Sequence, residues 1–414
     1  MKFGCIGEHL GHSFSAEIHH ALSDNPYVIR EVPRTELDAF MRAHDFLGIN
    51  VTIPYKEDVI PHLVWMSEQA KSIGAVNTIV NRDGQLYGYN TDFSGMSDLI
   101  RRVGVEIGNK KVAVLGTGGT SRTAVAVATA MGARQVLRVS RTAKNSAITY
   151  EALSSEHGDI EIIINTTPCG MYPNPNASPV NVADFPRLEG VIDAIYNPLR
   201  PQLVLDAKKK GIRAEGGLFM LVAQAVRASE IFLNCTYDDT VSEQVFQKIL
   251  RQKENIVLTG MPASGKSTVG KRLAKLLNRE FFDLDEEIVK TAGCTIPEIF
   301  AREGEAGFRD LESRVLREQL AQKNSIVLAT GGGAILRDEN VDQLRRNGRL
   351  YFLDRPLELL LPTEDRPLAS SAEAIRTRYE ERYERYCATA DCRVDGAGSV
   401  EEVAALIRKD FEAL

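Results

Sequence analysis

Two glycine-rich loops, 144 residues apart, constrain this chain more than any other feature. Lys111-Val-Ala-Val-Leu115 runs into Gly116-Thr-Gly-Gly-Thr-Ser-Arg122, and Asn255-Ile-Val-Leu-Thr259 runs into Gly260-Met-Pro-Ala-Ser-Gly-Lys-Ser-Thr268. Each apolar run has strand length, and helical patterns follow at Thr123–Met131 and Val269–Leu277. Strand, glycine loop and helix begin a βαβ unit. The spacing therefore predicts an α/β chain with two nucleotide-binding domains.

At 414 residues the chain has room for a third unit. Residues 1–95 supply it, with strand-like pieces at Lys2–Ile6, Gly48–Ile53 and Thr78–Asn81. The helix pattern Val241–Leu250 gives way to four polar residues, Arg251-Gln-Lys-Glu254, so a joint is expected near residue 253. The expected domains are 1–95 with 225–252, then 96–224, then 254–414.

The 43% hydrophobic and 26% charged composition is that of a globular protein. Beyond residue 253, 24 Lys and Arg face 29 Asp and Glu, a balance of −5; the remaining 26 and 27 give −1. Neither half is a basic module, so neither nucleic acid nor an anionic membrane is an expected partner. The longest uncharged stretch, Ile162 to Ala183, is broken by Asn and Pro and does not read as a membrane span. The six cysteines form no CxxC pair, and no Cys or carboxylate stands at zinc-ligand spacing from His19-His20 or His9/His12. These features fit a cytoplasmic location. Oligomeric state is left open, a monomer included.

Gly116-x-Gly118-Gly119 is a variant of the Rossmann dinucleotide loop, with Thr120 in the first helical turn. Alone it is equally a tight glycine turn. The strand Gln135–Val139 ends in Ser140-Arg141-Thr142-Ala143-Lys144. An NAD enzyme places an acidic residue there; an Arg and a Lys instead suit a 2′-phosphate, which favours NADP(H). Glu161-Ile-Ile-Ile-Asn165 reads as a further strand whose end lines the same crevice.

The first unit clusters polar groups beside glycine turns: His12-Ser13-Phe14-Ser15, Gly48 to Lys56, Gly74-Ala-Val-Asn77 and Gly88-Tyr-Asn90-Thr-Asp92. Taken singly, each reads as a turn; together they make a hydroxyl-binding pocket. With Asn165-Thr-Thr-Pro168, Asp193-Ala-Ile-Tyr196-Asn-Pro198 and Gly217 to Gln224, the set resembles shikimate dehydrogenase over about residues 1–250. That resemblance implies that Ser13 and Ser15 hold a substrate carboxylate. It implies that Thr52, Asn77, Asp92, Tyr196 and Gln224 contact ring hydroxyls, and that Lys56 and Asp92 are the catalytic pair. It also places Gly217 near the nicotinamide and Glu68 near the cofactor. The sequence departs at Leu10-Gly11, Ala16, His20, Thr117 and Thr120, none of which removes a functional side chain.

Gly260-x-x-x-x-Gly265-Lys266-Ser267 is a P-loop pattern in the right context: an amide nest for phosphates, a lysine for the terminal ones and a hydroxyl for Mg²⁺. Ala263, Ser264 and Thr268 complete the ATP-binding loop. Four clusters bear on the acceptor: Phe282-Asp283-Leu-Asp285, Glu303 to Glu312 with Arg309, Gly331-Gly332-Gly333, and two arginine segments with Arg366 and Arg382. Each alone reads as an ion-paired face or turn. The set resembles shikimate kinase over about residues 254–414, a P-loop domain like the nucleoside-monophosphate kinases. That resemblance implies that Asp285 binds and orients the attacked hydroxyl, that Arg309 and Arg382 clamp the carboxylate, and that Gly331, Gly332 and Gly333 pack the ring. It implies that Asp283 lies near Mg²⁺ and that Arg366 belongs to a lid over ATP. Departures concern the nucleotide side: Ala263 for a glycine, Ala369 in the lid, and Leu359 where an arginine is common.

The two resemblances share a metabolite. Together they imply reduction of 3-dehydroshikimate to shikimate with NADPH, then phosphorylation of shikimate at its 3-hydroxyl with ATP. Two alternatives are a quinate or shikimate oxidoreductase using NAD joined to a small-molecule kinase, and a non-catalytic metabolite sensor. Arg141 and Lys144 oppose the first. Retention of Lys56, Asp92, Lys266 and Asp285 opposes the second.

Overall fold

The computed structural model describes residues 1–8, 10, 14–143, 146–361 and 371–413. The chain divides into two compact units, Met1–Ile249 and Leu250–Leu414. Among the described residues no helix is long and apolar enough to cross a membrane.

Unit 1 is built on two sheets. The first contains β1 (Phe3–Gly7), β2 (Tyr27–Glu31), β3 (Gly48–Val51), β4 (Trp65–Met66), β5 (Thr78–Arg82) and β6 (Gln85–Tyr89), in the order β2-β1-β3-β5-β6-β4. β1 is parallel to β2 and β3, whereas β5 is antiparallel to β3 and β6. The three strands legible in the sequence, β1, β3 and β5, carry the apolar runs that bury Ile6, Ile49 and Ile79. β2 and β6 escape notice because their residues alternate between core and solvent and include Arg30, Glu31 and Gly88.

The second sheet contains β7 (Lys111–Leu115), β8 (Gln135–Ser140), β9 (Ile148–Thr149), β10 (Ile162–Asn165), β11 (Gly190–Asp193) and β12 (Arg213–Glu215). Its order, β12-β11-β10-β7-β8-β9, is parallel throughout. The chain leaves β7 in one direction and returns on its other side at β10. This is the switch point at which doubly wound sheets bind ligands. Strands covered on both faces read as unbroken apolar runs, and β7, β10 and β11 are buried at every position.

Helices Asp92–Val103 and Leu218–Leu233 pack against each other, and the second also reaches the first sheet, where Phe232 stacks on Phe3 at 5.5 Å. The divisions expected at 95/96 and 224/225 fall inside these two helices.

Unit 2 has one parallel sheet of β13 (Asn255–Thr259), β14 (Glu280–Asp283), β15 (Ile326–Ala329), β16 (Gly348–Asp354) and β17 (Cys392–Asp395), ordered β14-β15-β13-β16-β17. Two apolar clusters, one around Leu328 and one around Leu258, cover the sheet. The polar joint expected at Arg251–Glu254 is different in the fold. Arg251–Lys253 close the helix Val241–Lys253, and Glu254 N donates to Leu250 O at 2.7 Å. The Lys253 carbonyl accepts from Ser325 N at 3.2 Å and the Arg251 carbonyl from Arg279, while Glu254 is buried. Polar side chains concealed a segment whose main chain bonds to the residues after it, so the division falls earlier, after Ile249.

Candidate active sites

In unit 1 the chain leaves β3 through a turn that carries Thr52 and Lys56. Tyr55 anchors the turn: its ring is buried and its hydroxyl donates to Val32 O at 2.6 Å. Asp92 opens helix Asp92–Val103, where the helix dipole favours a carboxylate. Lys56 Nζ lies 2.6 Å from Asp92 Oδ2, with side chains 15% and 10% exposed. Asp92 Oδ1 accepts from Asn77 Nδ2 at 2.9 Å, so both carboxylate oxygens are engaged.

Asn77 is in turn fixed by Thr91, whose N donates to Asn77 Oδ1 at 2.7 Å. Gln224 enters from helix Leu218–Leu233, its Oε1 3.4 Å from Asn77 Nδ2 and 3.3 Å from the Thr91 hydroxyl. Thr52 is half-buried, and Ser15 opens helix Ser15–Leu22. Tyr196 packs edge-on against Phe14, ring centres 5.3 Å apart, and burial raises its phenol above the ordinary value. Lys56, Asn77, Asp92 and Gln224 are thus brought into one network; Ser13 lies outside the described residues.

The glycine loop sits at the switch point. Gly116 has φ 112°, the left-handed side that suits glycine, and its N donates to Val139 O at 2.8 Å. Thr166, just past β10, donates its hydroxyl to Leu115 O at 2.6 Å; a Cβ on Gly116 would lie 2.7 Å from that hydroxyl. Gly118 caps helix Gly119–Ala130 and faces open space. A Cβ on Gly119 would lie 3.9 Å from Lys56 Cδ, so the lysine stem passes beside the loop.

Arg141 follows β8 and is exposed, with no ion pair to any described residue. Ser140 donates its hydroxyl to Thr142 O, closing the turn around it. Lys144 lies outside the described residues. Gly217 caps helix Leu218–Leu233 with its Cα pressed on the Ala194 carbonyl, and no side chain fits there. Glu68 is 88% exposed and pairs with Lys71 at 2.7 Å.

In unit 2 the loop after β13 wraps the start of helix Lys266–Leu277. Ala263 has φ 63°, a conformation that strains any side chain by about 1 kcal/mol. Lys266 Nζ donates to the carbonyls of Gly260 and Met261 at 2.8 and 2.7 Å. Ser267 Oγ donates to Asp283 Oδ2 at 2.5 Å, and Asp283 Oδ1 caps the next helix through Asp285 N at 3.0 Å.

The glycines after β15 form a floor on which the acceptor residues converge. A Cβ on Gly331 would lie 2.7 Å from Asp285 Oδ1 and 2.8 Å from Glu312 Oε1; one on Gly332 would lie 2.9 Å from Pro262 of the phosphate loop. Arg309 Nη1 pairs with Glu312 Oε2 at 2.9 Å, and Arg382 Nη1 donates to Gly332 O at 3.3 Å. Burial, with the charge of Arg309 nearby, holds Arg382 below the usual guanidinium range. Burial pushes the Glu312 carboxyl up, against the pull of Arg309. Two guanidiniums, the Asp285 carboxylate and the phosphate loop therefore face one floor; Arg366 lies outside the described residues.

Three site residues were assigned no role from the sequence. Thr91 looks like a turn residue until its hydroxyl meets Asn77 and Gln224. Glu312 reads as the partner of an exposed ion pair, yet it is fully buried. Tyr386 donates its hydroxyl to Gly332 O. Its place four residues after Arg382, on the same helix face, is the signal that could have found it.

Residues 5–79 match the family model of the shikimate dehydrogenase substrate binding domain, and residues 262–412 match that of shikimate kinase. The chain is 37% identical over 264 residues to the shikimate dehydrogenase (NADP(+)) of Clostridium perfringens strain 13, spanning 60% of this chain and 97% of the relative. The corresponding Methanococcus maripaludis protein is 32% identical over 273 residues, with 60% and 97% covered. Among solved structures, a chorismate mutase/shikimate 5-dehydrogenase fusion protein from Clostridium acetobutylicum superposes with TM-score 0.57 at 33% identity, covering 60% of this chain and 96% of that one. A Thermus thermophilus shikimate 5-dehydrogenase bound to NADP(H) and shikimate gives 0.54 at 28% identity, covering 60% and 99%. The chain belongs to the shikimate dehydrogenase family through its N-terminal 60% and carries a shikimate kinase domain over residues 262–412.

Proposed function

We propose that this chain performs two consecutive steps toward chorismate: unit 1 reduces 3-dehydroshikimate to shikimate with NADPH, and unit 2 phosphorylates shikimate at its 3-hydroxyl with ATP. The observation that carries the first activity is the 2.6 Å Lys56–Asp92 pair set beside the Gly116–Gly119 loop. The second rests on the convergence of Asp285, Arg309 and Arg382 on the glycine floor next to the phosphate loop.

When bound, NADPH supplies the hydride that adds to the ring carbonyl carbon. Lys56 stabilises the charge gathering on the carbonyl oxygen and delivers the proton that completes the hydroxyl. Asp92 holds the ammonium in place and accepts from the neighbouring hydroxyl, with Asn77 orienting Asp92 from behind. Thr52, Tyr196 and Gln224 read the remaining hydroxyls, and Ser13 and Ser15 take the carboxylate. Arg141 and Lys144 receive the 2′-phosphate; the exposure of the Arg141 guanidinium, which has no ion pair to any described residue, supports this.

In unit 2, Arg309 and Arg382 hold the shikimate carboxylate, and Asp285 orients the 3-hydroxyl and takes its proton. Lys266 turns from the loop carbonyls to the terminal phosphates of ATP, and Arg366 closes over them. Ser267 Oγ and Asp283 are a pair of oxygen donors that suits Mg²⁺, an ion held by one or two protein groups with phosphates completing its shell. Held there, magnesium would supply positive charge against the transferred phosphoryl group.

Incubating the intact chain with 3-dehydroshikimate, NADPH, ATP and Mg²⁺ tests both halves. Shikimate 3-phosphate appears, and omitting ATP stops the sequence at shikimate. Oxidation of NADPH without any phosphorylated product would overturn the kinase half; phosphorylation of added shikimate with no NADPH oxidation would overturn the other.

A further inference from the structure

We infer that Asn165 and Asp193 form a buried positioning pair that sets both loop walls of the dinucleotide crevice from beneath. The inference rests on the dehydrogenase reading of unit 1. The two residues end adjacent strands, β10 and β11, and are partners in register. Both are fully buried among apolar strand residues such as Ile163 and Val191. Asn165 Nδ2 donates to Asp193 Oδ2 at 3.0 Å.

Each then reaches forward into the loop that follows its own strand. Asn165 Oδ1 accepts from Thr167 N at 3.0 Å and from the Thr167 hydroxyl at 2.7 Å. Asp193 Oδ1 accepts from Ile195 N at 2.9 Å. These loops are the crevice walls. The Thr167 methyl would lie 3.2 Å from a Cβ on Gly116, and the Ile195 carbonyl accepts from Gly217 N at 2.8 Å. Tyr196 is the next residue.

An amide and a carboxylate in an apolar layer are costly unless every polar atom is used. Here all four side-chain polar atoms have partners: three of the four bonds come from loop atoms, and the fourth joins the pair. An apolar pair would fill the space and leave Thr167 N and Ile195 N without these acceptors. What the polar pair supplies is loop geometry, and it needs one amide and one carboxylate. One amide must donate to one carboxylate for both forward bonds to form.

Exchanging the two groups tests this. Asn165→Asp sets two carboxyls together, and Asp193→Asn sets two amides together; either single change disturbs one wall. The double variant Asn165→Asp with Asp193→Asn restores the complete pattern, with residue 165 accepting from Thr167 and residue 193 accepting from Ile195. The readout is the NADPH dissociation constant, by titration of cofactor fluorescence with the intact chain. Kinase activity of the same chain is the control for folding of the remainder. Each single variant weakens NADPH binding at least about ten-fold, and the double variant returns to within about three-fold of the parent. The KM for 3-dehydroshikimate changes less than the NADPH dissociation constant does, because among the substrate binders named above only Tyr196 stands on these walls. A milder change, Thr167→Val, keeps the pair and removes one forward bond; it weakens NADPH binding about two- to five-fold.

A double variant as weak as the worse single one would overturn the proposal. So would single variants that lower only the melting temperature, or a Thr167→Val chain that binds NADPH as the parent does. A parent chain that binds NADPH yet reduces no 3-dehydroshikimate would sink the functional reading while leaving the pair testable by titration.

Discussion

The guanidinium of Arg309 occupies the space where a side chain at position 333 would begin, in contact with Gly333 across the acceptor floor. The arginine is held there by the buried Glu312 at 2.9 Å and by Glu305 at 3.4 Å. Gly333→Ala must therefore displace Arg309. The expected result is a fall of about ten- to hundred-fold in kcat/KM for shikimate, with reduction of 3-dehydroshikimate unchanged. Steady-state kinetics of both activities on one preparation checks it.

Lys56→Ala removes the ammonium that the proposed mechanism places at the developing oxygen charge. Reduction slows by roughly 10²–10³-fold, the usual effect of losing one such donor, and shikimate phosphorylation persists. Near-normal reductase turnover in this variant would remove Lys56 from the mechanism.

Arg141→Asp replaces an exposed guanidinium just past β8 with a like charge to the 2′-phosphate. The ratio of NADP to NAD efficiency drops by at least about ten-fold, in line with one charge-assisted bond of about 1.5–3 kcal/mol. Parallel assays with the two cofactors decide it.

His19 is buried against Tyr27, ring centres 3.9 Å apart, and burial lowers its imidazole to about 3, with the Asn50 hydrogen bond opposing and the His20 charge adding. The unfolded chain takes up a proton near pH 6.5 and the folded one does not. This contribution to stability is complete above about pH 6.5 and is lost as the pH falls toward 3. His19→Phe removes the titration, so between pH 7 and pH 4.5 it loses roughly 2–3 kcal/mol less stability than the parent. The chain has a single tryptophan, Trp65 in unit 1, so urea melts followed by its fluorescence read this unit alone.

Arg251 and Lys253 belong with unit 2 through the Arg279, Glu412 and Ser325 bonds. A fragment starting at residue 250 therefore melts several degrees above one starting at 254, at about 1 kcal/mol per lost bond and about 2–4 °C per kcal/mol. Equal melting temperatures would return the boundary to residue 253.

The nucleotide loops were legible because their signal is local. An apolar run of strand length, glycines at fixed offsets and a helix of period 3.6 all lie within about twenty residues. β7, β10 and β13 fall where the apolar runs predicted them. Edge strands such as β2 did not stand out, since a strand half in solvent carries no apolar run. Arg251–Glu254 misled for the complementary reason: side-chain polarity does not report what the main chain bonds to.

The sequence by itself determined the strand–loop–helix units, the residue types of both sites and, through their order, the two families. Only the tertiary structure decided which of those residues meet. Lys56 reaches Asp92 across 36 positions, and Asn77 reaches Gln224 across 147. β10 lies beside β7 although β8 and β9 intervene in the chain, and that adjacency alone brings Asn165 and Thr166 to the glycine loop. Local propensity fixes dihedral angles over a few residues. Sheet order and register are fixed by how buried faces close on one another, and no single segment holds that information.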